Sequence, residues 1–207
     1  SVEIGLPEGA KLFKGPEYPA DHAKPIVFYG TSITQGGCAS RPGMVHTAIL
    51  SRRLNRPVIN LGFSGNGRME AEVAQFIAEI DAAVYVIDCL PNMDAAAVSA
   101  NTAPLVKQLQ AAHPETPILL VEDRSYANSQ VLDGPRVRNE TNRAALLQEF
   151  EKLIDGGVQG IYYLTGDKLL GKDGEDTVDG SHPTDFGFWR HANAFEPLLR
   201  EILDENQ

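Results

Sequence analysis

The chain has 207 residues, 43% of them apolar and 22% charged, with a formal net charge of −10. A single domain of this size buries roughly 70% of its unfolded surface and needs no disulfide or metal staple. The charge argues against nucleic acid and against an anionic membrane surface, both of which call for clustered Lys and Arg, so a neutral substrate fits better.

In chain order, residues 1–24 mix proline and glycine with polar residues and show little periodicity. They read as an extended lead-in, a strand and linker from an upstream module. The first residues, Ser1-Val2-Glu3-Ile4-Gly5, lack the charged and apolar regions of a signal peptide. No apolar run approaches the ~18 residues of a membrane span. From residue 25 onward the pattern alternates. Short, nearly continuous apolar runs at Pro25–Tyr29, Pro57–Leu61, Ala83–Asp88, Pro117–Val121 and Gly160–Leu164 predict parallel strands buried on both faces.

Helical spacing fills the intervals. Val45, Ile49, Leu50 and Leu54 form one set, and Val73, Phe76, Ile77 and Ile80 the next. Val98, Leu105 and Leu109 follow, then Leu146, Leu147, Phe150 and Ile154. Phe188, Ala192, Phe195, Leu199 and Ile202 lie on one face of a last helix, where Pro197 predicts a kink or restart. This alternation implies right-handed crossovers and an α/β fold of three layers, an α/β/α sandwich around a five-stranded parallel sheet. In such sheets ligands bind beyond the carboxyl ends of the strands.

Chemistry-bearing residues are therefore expected just after each run. Gly30-Thr31-Ser32 turns sharply off the first strand and exposes a serine, a poor nucleophile until a base takes its proton. Alone, Gly-Thr-Ser is more often a turn or a helix cap. Asp179-Gly180-Ser181-His182 precedes the last helix, and its three-residue spacing lets the carboxylate bond Nδ1–H while Nε2 serves as base. An isolated Asp-x-x-His is more often a surface pair. His22, His46, His113 and His191 have no comparable neighbour and read as ordinary solvated or partly buried histidines. Oxyanion donors are available after strands two and three, as the backbone N–H of Gly65 and the side-chain amide of Asn92. All four motifs are expected at one sheet edge, and that coincidence points to acyl transfer.

Three rival readings compete. Gly62-Phe63-Ser64-Gly65-Asn66 approximates a G-x-S-x-G elbow with Ser64 as nucleophile, but Asn66 replaces the last glycine and extra preceding strands are missing. A binding module holding a flavin or a nucleotide phosphate at Gly30–Gly37 lacks a Walker or dinucleotide fingerprint. A metal site from Asp88, Asp94, Glu122, Asp123 and His182 matches no ligand spacing. Cys38 and Cys89 both follow strands at this edge, with their pairing open.

On Ser32, Gly65, Asn92 and Asp179-x-x-His182, the sequence resembles an SGNH hydrolase of the GDSL esterase/lipase superfamily, over about 180 residues. The resemblance implies a flavodoxin-like sandwich and an acyl-enzyme mechanism with no metal or organic cofactor. It also implies an oxyanion hole from the N–H groups of Ser32 and Gly65 and the Asn92 amide. Thr31 stands where the family's first block usually has Asp, and Pro91 and Met93 flank Asn92, which marks a divergent branch. The blocks around Tyr29–Gly36 and Asp88–Met93 are similar to two-module bacterial members with a β-rich module upstream. By that resemblance, residues 25–207 are the catalytic domain, the substrate is a short acyl (acetyl) ester of a carbohydrate, and the protein is periplasmic or secreted; the alternatives are a lipase- or thioesterase-like acyl hydrolase on another alcohol or thiol, or a non-catalytic carbohydrate-binding relative. Nucleic acid and membrane insertion are not expected.

Overall fold

The computed structural model describes residues 3–205, so the first two residues of the predicted lead-in lie outside the described residues. Five strands form one sheet: β1 (Ile26–Gly30), β2 (Val58–Gly62), β3 (Val84–Asp88), β4 (Ile118–Val121) and β5 (Ile161–Leu164). Each lies within one residue of its apolar run. All neighbouring pairs are parallel, in the order β2-β1-β3-β4-β5. That is the flavodoxin-like doubly wound order, in which the chain runs both ways from β1 and opens a crevice between β1 and β3.

Side-chain alternation divides the core in two. Val27, Tyr29, Tyr85, Ile87, Ile118 and Leu120 face one layer, with Leu105, Leu109 and Leu146. Ile26, Phe28, Val84, Val86, Leu119 and Val121 face the other, with Leu50, Phe195 and Leu199. The first layer is α3 (Ala71–Ile77), α4 (Ala95–Ala112) and α5 (Asp133–Asp155); the second is α2 (His46–Leu54) and α6 (Asp185–Glu205). A helix of one turn, α1 (Ser32–Gln35), follows β1 directly. The expectation of full burial on both faces holds for β1, β3 and β4. As an edge strand, β2 is only half-buried.

Two helices depart from the sequence expectation. Pro197 does not divide α6, which runs unbroken from Asp185 to Glu205. Pro197 and Asn193, whose carbonyl it leaves unbonded, are both exposed, so water can take the lost hydrogen bond. Pro104 sits inside α4 in the same way, opposite the exposed Ala100. α5 begins at Asp133, well before Leu146, because the buried face of its first half is polar: Asn139 and Asn142 are buried there. An apolar period could not reveal it.

Residues 3–24 carry no strand and only a short helical turn at Ala20–His22, and Ile4, Leu12 and Phe13 are exposed along them. Their end is tied down by the buried Arg56, which donates to the carbonyls of Asp21 and Lys24.

Candidate active site

Ser32 is the first residue of α1, so its N–H has no acceptor within the helix. Thr31 caps the helix by accepting from the Ile33 N–H, which gives the residue in place of the family's usual Asp a structural task. Gly36, at φ +100°, ends the helix and returns its N–H to the Ser32 and Ile33 carbonyls. Only glycine takes that conformation freely. Thr34, on the inner side of α1, donates to Asp88 at 2.9 Å across the β1–β3 crevice. Burial pushes the Asp88 carboxyl up to about 7, against the lowering effect of Thr34.

The second half of the site is the turn before α6. Asp179 accepts the N–H groups of Ser181 (2.9 Å) and His182 (2.7 Å) through Oδ1. Its Oδ2 meets His182 Nδ1 at 2.7 Å. The backbone N–H of His182, ahead of its ring, holds the Asp179 carboxyl down to about 2. A carboxylate can only accept, so in the neutral imidazole the proton sits on Nδ1 and Nε2 keeps its lone pair. That nitrogen lies 2.9 Å from Ser32 Oγ, across 150 residues of chain. The side chains of His182 and Asp179 are 31% and 50% exposed, so water reaches the pair. Among the described residues, these three form one hydrogen-bonded chain able to deprotonate a serine.

The oxyanion candidates lie on the β2–α3 loop, which packs against the serine turn, and on the turn after β3, which bonds that loop. A Cβ on Gly62 would come within 2.1 Å of Gln35 N, and one on Gly67 within 2.1 Å of Gly30 O. The Phe63 N–H also bonds the Gly30 carbonyl at 2.9 Å. Gly65, at φ +71°, is exposed at the tip of this loop. Asn92 ends a short helical turn after β3. Its amide nitrogen bonds the Phe63 carbonyl (3.4 Å) and the Asn66 carbonyl. To hold an oxyanion, Asn92 must release one of these carbonyls.

The other sequence candidates have structural partners. Ser64 is exposed in the β2–α3 loop, and the base nitrogen of His182 is taken by Ser32. Asp94 caps α4, Glu122 accepts from Tyr163 and the Gly166 N–H, and Asp123 pairs with Arg124. Cys38 is exposed and Cys89 buried, and both are free thiols. His46 and His191 are not ordinary: both are buried, His46 among Phe28, Phe188 and Phe195 and His191 beside Phe188, with the two imidazole centroids 5.4 Å apart. His191 shares the buried face of α6 with Phe188 and Phe195, and His46 opens the facing helix α2. Reading histidines one at a time could not show that the two faces meet.

Sequence reasoning also missed three arginines. Arg138 donates to the carbonyls of Pro91 and Met93, on either side of Asn92, at 2.9 Å each. Arg143 grips the Asp123 carbonyl, and Arg124 grips Ser181 between Asp179 and His182. The one available signal was Arg124's place just beyond a strand's carboxyl end.

Residues 23–200 match the model of the GDSL-like lipase/acylhydrolase family. A Bacteroides ovatus protein whose crystal structure is described as a GDSL-like lipase is 38% identical, with a TM-score of 0.85 over 89% of this chain and 55% of that one. A salicylyl-acyltransferase from a tetracycline biosynthetic pathway is 20% identical, with a TM-score of 0.75 over 87% of this chain and 55% of the other. A family two carbohydrate esterase from Clostridium thermocellum, in complex with cellohexaose, is 16% identical, with a TM-score of 0.73 over 94% and 68%. The last two share the fold. The chain spans 55% of the length of each of the first two relatives. No curated protein matches it. With its matched length, its parallel sheet and the Bacteroides likeness, the chain belongs to the GDSL-like lipase/acylhydrolase family.

Proposed function

We propose that this chain is a serine esterase that cleaves a short acyl ester, acetyl on a carbohydrate, through an acyl-enzyme. The observation that carries the reading is the relay from Asp179 to His182 (2.7 Å) to Ser32 (2.9 Å). Ser32 Oγ attacks the ester carbonyl as His182 Nε2 takes its proton, and Asp179 stabilises the imidazolium. The N–H groups of Ser32 and Gly65 and the Asn92 amide hold the oxyanion. His182 then protonates the departing alcohol. Water, admitted by the exposed base, attacks the acyl-enzyme with His182 again as its base.

Two observations support a sugar as the alcohol. A cleft of about 460 Å³ opens between the β4–α5 and β5–α6 loops; its lining includes Ser125, Tyr126, Ser129, Gln130 and Lys172 and none of Ser32, Asp179 and His182, so it would hold a part of the substrate away from the scissile ester. Such a lining suits hydroxyl groups better than an alkyl chain. The Clostridium thermocellum neighbour is a carbohydrate esterase. Export to the periplasm or the exterior goes with this reading. Residues 1–24, with exposed apolar side chains at Ile4, Leu12 and Phe13, are read as the end of an upstream module.

The test is a p-nitrophenyl ester panel from acetate to decanoate, followed by acetylated oligosaccharides. Turnover concentrated on the shortest esters and on acetyl sugars is expected. A preference for long chains would move the reading to a lipase, and no turnover at all would leave a carbohydrate-binding relative. Asn92→Ala should lower kcat by about a hundredfold with little change in KM, as loss of one oxyanion donor does. An unchanged kcat would show that Asn92 stays on the Phe63 and Asn66 carbonyls throughout.

A further inference from the structure

Arg124 is a fully buried cation, 1% exposed, directly behind the acid–base turn. Its guanidinium is divided between two tasks. One nitrogen pairs with the buried Asp123. The other two bond Ser181, Nε to the backbone carbonyl at 3.2 Å and Nη2 to the hydroxyl. Ser181 is the residue immediately before His182, inside the turn that Asp179 closes.

The anchoring continues outward. Asn139 of α5 donates to the Arg124 carbonyl (3.0 Å) and to Asp123 Oδ2 (3.3 Å). Arg143 of α5 holds the Asp123 carbonyl at 2.7 Å. The Tyr126 ring lies under the guanidinium at 4.1 Å, and the Ala127 N–H bonds the Gly180 carbonyl at 3.0 Å. The acid–base turn is thus held from behind at Gly180 and Ser181 by a segment that is itself fastened to α5.

Burying an arginine is costly, and neutralising Asp123 would require only one of its nitrogens. The two bonds to Ser181 are what a planar fork adds and a lysine cannot reproduce. We infer that Arg124 is a positioning residue for His182: through Ser181 it fixes the imidazole so that Nδ1 meets Asp179 while Nε2 meets Ser32. It touches neither substrate nor reacting atoms. This rests on the esterase reading above for its kinetic consequences, although not for its spectroscopic one.

The experiment compares the wild type with Arg124→Lys and Ser181→Ala. Arg124→Lys keeps a cation for Asp123 but loses the fork. It should lower kcat by about a hundredfold, as a displacement near 1 Å does, while KM stays within twofold. Ser181→Ala removes only the hydroxyl acceptor from a half-buried position, so it folds even if the lysine variant does not. About a fivefold loss of kcat is expected from it. Nitrogen NMR of the labelled His182 ring should show the Nδ1–H tautomer in the wild type and a mixture of tautomers in both variants.

A merely structural role predicts something else: a lowered melting temperature in Arg124→Lys, with kcat within twofold and the wild-type tautomer retained. That result would overturn the inference, as would a rise in KM alone. If the wild type turns over no ester, the esterase reading falls, and the tautomer comparison still decides the role of Arg124.

Discussion

Ser32→Ala is expected to remove ester turnover, lowering kcat on the order of 10⁶-fold while the melting temperature and substrate binding stay close to wild type. The magnitude follows from what the serine supplies. Without Oγ no acyl-enzyme forms, and the residual rate is that of water near a stranded base and an empty oxyanion site. Binding and folding should be spared because Ser32 opens α1 while other groups hold the turn in place. Thr31 caps it, Gly36 closes it, and Thr34 ties it to Asp88. Ser64→Ala is the control, and it should retain wild-type kcat because Ser64 lies exposed on a loop. Loss of turnover with Ser64→Ala and not with Ser32→Ala would move the nucleophile to the β2–α3 loop. Retention in both would remove the acyl-enzyme mechanism altogether.

Acid should unfold this protein through its buried histidines. Burial lowers the His191 imidazole to about 4, and it lowers His46 well below the ordinary value as well, with His191 as a further cause. Neither ring nitrogen of His46 has a hydrogen-bond partner to stabilise a charge. A histidine with a depressed folded pKa stabilises the fold only while it is neutral. Its contribution is complete above the unfolded value of 6.5 and is lost as pH falls toward 4. For His191 alone the loss amounts to about 3 kcal/mol by pH 4.

Asp88 acts in the opposite sense. With its folded pKa raised to about 7, the fold binds a proton that the unfolded chain does not, so this group favours the fold as pH falls. A difference between variants separates the two effects. Urea unfolding of wild type and His191→Leu at pH 7.5 and pH 4 should show the wild type losing about 3 kcal/mol relative to the variant on acidification. Parallel losses in the two proteins would mean that His191 does not titrate with folding.

Much of the architecture was legible in the sequence because a parallel sheet covered on both faces imposes a severe local rule. Central strands such as Val84–Asp88 must be apolar at every position before the carboxyl end, and polar and turn residues must follow where the chain leaves the sheet. The same rule pointed to the strands' carboxyl ends, where Ser32 and Asn92 stand. Asp179 and His182 were readable as a pair because both ends of their contact lie within one turn. α5 was half hidden for the converse reason: its first turns bury Asn139 and Asn142, which leave no apolar period.

What the sequence determined by itself was therefore local: strand and helix composition, the capped serine turn and the Asp-x-x-His turn. The order β2-β1-β3-β4-β5 was expected only through the family resemblance, and the tertiary structure decided that it carries Ser32 and His182, 150 residues apart, to within 2.9 Å. It also decided that Asn92 spends its amide on Phe63 and Asn66, that His46 meets His191, and that Arg124 stands behind Ser181. These facts depend on which surfaces pack together, and packing is settled by the summed burial of the whole core rather than by the spacing of any one segment.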